Sequence, residues 1–207
     1  YVIMTVRWDP DTMPAIPSMF FETTGAYMYD RRLDSTAGGS GSQRLKNRST
    51  WAVSANPAVA LDHFLLGRFL DSGDDVPVFG VGIDPSEVDY DRFAGMANLC
   101  DELVAVAETP YYTTNQPRYE ANGIVFSDDP YKDIIVQLCR AMNARPADLG
   151  GNIGVIDNEA KTAVFDLEDG DIPEGATEVY IPKKSRDDLI GGVRGNYQDV
   201  NNNYNPT

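Results

Sequence analysis

Cysteine, histidine and basic residues are all scarce in this sequence, and each shortage removes a class of chemistry. Two cysteines in 207 residues cannot build a disulfide scaffold, a four-thiolate zinc site or an iron–sulfur cluster from this chain alone. The single histidine, His63, excludes a His-Glu-x-x-His zinc pattern. Lysine and arginine number 17 against 32 acidic residues, a net charge of −15. That field repels phosphate backbones and anionic lipid, so no stable nucleic-acid binding is expected. No apolar run approaches about 18 residues, and the first residues do not form a basic-plus-apolar leader, so no membrane span is expected in this segment. With 42% hydrophobic and 24% charged residues the chain is too apolar for a disordered tail. It reads as a globular protein of one large or two small domains.

The pattern along the chain divides into three. Residues 1–50 read as a β-rich segment, with short strands broken by Pro10, Pro14 and Pro17. Tyr1 stands in mid-strand, as expected of a piece cut from a longer polypeptide. Residues 34–48, with Gly38, Gly39, Ser40, Gly41 and Ser42 among Arg44, Lys46 and Arg48, have no apolar period and are expected to form a mobile loop. Residues 51–146 carry three helical signals. Asn56-Pro57 starts a helix whose stripe of Val59, Leu61, Phe64, Leu65 and Phe69 reaches Asp71. Phe93, Met96, Ala97, Cys100 and Leu103 predict a second from about Asp89 to Val104. Asp129-Pro130 opens a third, with Ile134, Ile135, Leu138, Cys139 and Met142 on its buried face and Pro146 at its end. In residues 147–207, Ile153 and Val155 face Val164, Phe165 and Leu167 across Asp157-Asn158 as a hairpin. Val179-Tyr180-Ile181 and Val193 to Tyr197 follow as strands. Strand-rich flanks around a helical middle make the fold class α+β, as one compact region.

Residues that carry chemistry are few. His63 lies in the first helix's apolar stripe, where a packing histidine is favoured over a general base or metal ligand. Ser40 lacks the Gly-x-Ser-x-Gly frame, because Ser42 stands where the last glycine belongs. Gly80-x-Gly82 runs into Pro85 where a dinucleotide fingerprint needs a third glycine opening a helix. The clusters Asp71, Asp74, Asp75 and Asp166, Glu168, Asp169, Asp171 lack the order of a calcium loop and read as solvated. Cys100 and Cys139 read as buried thiols, with a disulfide open if their helices pack together. Asn47-Arg48-Ser49 matches a glycosylation sequon by accident of composition. No catalytic residue, metal ligand or cofactor-binding residue is assigned.

Several strings go further than composition. Tyr29-Asp30 with Arg32, Ser49-Thr50-Trp51, Ser54-Ala55-Asn56-Pro57-Ala58 with Leu61, Asp62 and Leu65, Phe93, Cys100-Asp101-Glu102, Arg118 to Gly123, Asp129-Pro130-Tyr131, Val193 to Tyr197 and Asn203 to Thr207 occur in that order. Over residues 16–207 this resembles the central tail-tip, or baseplate hub, proteins of long-tailed bacteriophages (the lambda J-like tip attachment proteins) and of gene transfer agents. Arg31 stands where a proline often follows the Tyr-Asp pair in that family.

The resemblance implies a non-enzymatic structural protein of the virion, at the distal tail tip. It implies a homotrimer that closes the tail tube, contacts the distal tail and other tail-tip proteins, and reaches a host receptor through the parent chain. Such a plug needs stiff walls and exposed anchors rather than a polarised pocket. Tyr111, Tyr112, Tyr119, Tyr197 and Tyr204 are the candidate interface residues. The acidic balance suits a wall to which passing DNA does not adhere. The alternatives are a carbohydrate- or receptor-binding module, which needs a concave aromatic cleft, and a wall-degrading hydrolase, which needs two carboxylates about 5 to 10 Å apart.

Overall fold

The computed structural model describes residues 25–105 and 115–166, a few isolated positions outside them, and the strand pair Gln198–Asp199 and Asn205–Pro206. Helix α1, Pro57–Leu66, organises the rest. Asn56 caps it by accepting from the amides of Ala58 and Val59, and Pro57 occupies its first turn, as the Asn-Pro signal predicts. Every residue of α1 except Ala60 is buried, so it is a central helix and not an amphipathic surface one. It stops at Gly67, φ 88°, short of the expected Asp71. Three amides then close its end: Val81 donates to the Phe64 carbonyl, and Gly82 and Ile83 to that of Leu65. Gly80, φ 94°, is required there, since a Cβ would run into the Phe64 carbonyl oxygen. The Gly80-x-Gly82 pair thus seals a helix end.

Helix α2, Tyr90–Asp101, begins at Asp89, whose carboxylate accepts from the Arg92 amide, and buries Phe93, Met96, Ala97 and Cys100 against α1. It ends three residues before the expected Val104. Leu103 leaves it, lies 65% exposed and starts strand β3, Leu103–Ala105, which pairs antiparallel with β4, Asn115–Pro117. Helix α3, Tyr131–Ala141, packs on α1 through Ile134 and Cys139, with Ile135 and Leu138 half-buried. Its cap residue is Pro130, and Asp129 instead accepts from the Phe126 amide.

The expected hairpin around Asp157-Asn158 is replaced by another. Strand β5, Ala144–Asp148, pairs with β6, Ile153–Asp157, so that Val155 faces Pro146. Gly150 and Gly151, φ 72° and 99°, make the turn. Pro146 therefore sits inside a strand and ends no helix, tolerated because among the described residues β5 has a partner on one side only. Val164 and Phe165 are 99% and 66% exposed. The hairpin packs on α2 and α3, and Asp89 donates its amide to the Ile153 carbonyl.

Ahead of α1, strand β1, Tyr27–Met28, pairs with β2, Ala52–Val53. The glycine-rich stretch between them, expected to be mobile, is a wound loop with defined bonds: Ser40 donates to the Arg32 carbonyl, Gln43 to that of Leu33, and Asp34 bridges Ser42. Among the described residues the fold is thus α+β, with three α-helices and three small antiparallel two-strand sheets, besides the pair near the end of the chain. The core joins Tyr29 and Trp51 to all three helices and Val155 of the hairpin. The strands expected at Val179 to Ile181 and Val193 to Tyr197 lie outside the described residues.

Candidate functional site

Two features stand out around α1: a knot of buried polar side chains on one side and an apolar cleft on the other. The knot is built from consecutive residues. The Tyr29 hydroxyl donates to Asp34 Oδ2 at 2.7 Å. Arg31 is 5% exposed and grips Asp62 of α1 with two bonds, Nε to Oδ2 at 2.8 Å and Nη2 to Oδ1 at 2.7 Å, its guanidinium lying over the Tyr90 ring. Arg32 holds Asp30 and reaches α2, where Nη1 lies 2.8 Å from both Asn98 Oδ1 and Asp101 Oδ2. Asn56 completes the tie, donating to the Ala97 carbonyl and Asp101 Oδ1. No buried side-chain polar atom among the described residues lacks a partner.

The protonation states follow from these contacts. Burial pushes the Asp62 carboxyl up to about 6, against the pull of Arg31, so the pair is ionised at neutral pH. Burial, then the bond to Asp34, raises the Tyr29 hydroxyl well above its ordinary value. Burial alone would raise Asp34 too, but bonds from Thr36 and Tyr29 and the charge of Arg44 hold it below the usual carboxylate range.

His63 lies between the two features. Burial, and secondarily Arg68, push its imidazole down to about 4, so it is neutral near pH 7. Nδ1 accepts from the Tyr29 amide at 3.4 Å, and the ring meets Trp51 edge-on, 4.7 Å between centroids. This is a packing histidine.

The cleft, about 580 Å³, is walled by Met28, Phe64, Ile134 and Leu138, with Ile124 and Val125 on its rim. A second recess of about 480 Å³ adjoins it, formed by Arg48, Ser49, Trp51 and Leu70; Tyr27 and Arg68 line both.

Of the expected interface tyrosines, Tyr119 is half-buried against the core, and Tyr111, Tyr112, Tyr197 and Tyr204 lie outside the described residues. Cys100 and Cys139 are buried free thiols, both raised to about 11 by burial. In the first acidic cluster Asp74 accepts from the Asp71 amide and Lys46 lies 3.8 Å from Asp75. In the second, Asp171 accepts from the Glu168 amide and Asp169 lies outside the described residues. Among the described residues no three histidine, cysteine or acidic side chains converge as a metal site would require. Sequence reasoning missed the Arg31–Asp62 pair, whose partners are 31 residues apart; the arginine in place of proline was its one signal. No protein-family model and no curated protein sequence matches the chain.

Proposed function

We propose that this chain is a structural component of the tail tip of a long-tailed bacteriophage or gene transfer agent, part of a homotrimeric hub that closes the tail tube. In the virion it would contact the distal tail and other tip proteins and link the tube to receptor-binding parts, with no bond-breaking chemistry of its own. One observation carries the reading: among the described residues, strings on which the resemblance rests, scattered through the sequence, bond to one another in the fold. Arg32 reaches Asp101, Asn56 binds Ala97 and Asp101, Arg118 pairs with Glu102 at 2.7 Å, and Ala121 donates to the Ala55 carbonyl. These residues are spent on holding segments together, which is what a plug under load requires.

Imaging particles that carry a tag on this polypeptide tests the reading. Density for the tag on the threefold axis at the distal end of the tail is the expected result. A tag at the capsid or along the tail sheath, or its absence from purified particles, would overturn it.

A further inference from the structure

We propose that the cleft beside α1 and its neighbouring recess bind one amphiphile, with an unbranched apolar chain in the cleft and an anionic head, carboxylate or phosphate, between Arg48 and Arg68. The two hollows share Tyr27 and Arg68, so a chain in one delivers its head into the other. A volume of about 580 Å³ with walls of Met28, Phe64, Ile134 and Leu138 suits a small apolar ligand, for which clefts of roughly 300–1,000 Å³ are usual. Its rim leaves apolar surface in water, Ile124 being 79% and Tyr27 59% exposed.

The charges give the ligand its sense. Arg31, Arg32, Arg44, Arg92 and Arg118 each hold a carboxylate; Arg48 and Arg68, like Arg140 and Arg145, form no ion pair among the described residues, but these two line one recess together. Burial first, and then repulsion from the nearby Arg48, lower the basicity of Arg68. A carboxylate or phosphate placed there accepts bidentate bonds and relieves that repulsion. Glu120, among the described residues the one carboxylate lining the cleft, does not line the recess and repels an anionic head toward it. His63, neutral, adds no charge.

Calorimetric titration of the whole chain with dodecanoate, dodecyl phosphate, dodecyltrimethylammonium and inorganic phosphate, each below its micellar concentration, tests this. Saturable one-site binding is expected for at least one of the two anionic amphiphiles and for neither of the other probes. The anionic head that binds more tightly identifies the source. Arg68→Gln and Arg48→Gln should each weaken binding about tenfold, the worth of one charge-assisted bond. Ala141→Trp, which fills the cleft from α3, should abolish it while leaving the far-ultraviolet circular dichroism unchanged. If Ala141→Trp fails to fold, the arginine variants decide alone. No saturable binding of either anionic amphiphile, equal binding of the cationic one, or full affinity in the Arg48/Arg68 double variant would overturn the proposal.

Discussion

Asp62→Ala would leave the Arg31 guanidinium buried without its partner. The expected loss is about 3–5 kcal/mol in denaturant unfolding. Replacing both residues together, Arg31→Met with Asp62→Leu, should instead be neutral or stabilise by roughly 1–4 kcal/mol, because the desolvation cost of both ions disappears. A double variant as damaged as the single one would show that the pair's geometry, and not its stranded charge, is what matters. His63 gives a prediction in pH. Its pKa falls from about 6.5 unfolded to about 4 folded, so its contribution is whole above pH 6.5 and is lost as pH falls toward 4, in total about 3 kcal/mol. Asp62 acts in the opposite sense: raised to about 6, it favours the fold at low pH and loses that contribution as pH rises from about 4 through 6. The wild-type profile should therefore be shallow over this window. His63→Asn keeps an acceptor for the Tyr29 amide but cannot titrate, so with Asp62 alone acting its stability should rise on acidification from about pH 6 toward 4. Identical profiles for the two proteins would remove the imidazole from the account.

The wound loop between β1 and β2 behaves as an element, and Gly39 is the position that admits it. A Cβ on Gly39 would collide with the carbonyl oxygens of Arg31 and Arg32, whereas one on Gly73 would meet nothing within 4 Å. Gly39→Ala should cost at least about 2 kcal/mol in thermal or urea unfolding, and Gly73→Ala less than about 0.5. The same contrast explains what could be read from the sequence. Helix starts were legible because caps are local: Asn56-Pro57 and Asp89 act within their own first turns. Helix ends were not. Gly67 stops α1 before Phe69 and Asp71, though Phe69 is buried anyway from the loop, so its place in the apolar stripe was misleading. Leu103 fits the period of α2 but pairs with Pro117, a partner no local window contains. The true hairpin hid behind Pro146, which reads as a helix stop, while Gly150-Gly151 signalled its turn. At the site, His63 was legible from its stripe. The Arg31–Asp62 pair and the Arg48/Arg68 recess were not, because the chain must fold before those residues become neighbours.

Over the whole molecule, charge outweighs any single contact. A net −15 carried by one chain repels itself, and salt screens that repulsion, shortening its range from about 30 Å at 0.01 M to about 3 Å at 1 M. The melting temperature should rise with sodium chloride by roughly 2–4 °C for each ~1 kcal/mol recovered. A fall would mean that ion pairs such as Arg118 with Glu102 and Arg44 with Asp34 exceed the overall repulsion. Cys100 and Cys139 carry a further consequence. Each sulfur sits in a different helix, closed off from water, in a form slow to react. A thiol reagent can therefore advance only as the protein opens, which makes the two side chains a stopwatch built into the molecule. Mass spectrometry would read α2 and α3 separately, and whichever sulfur is marked first names the helix that lets go.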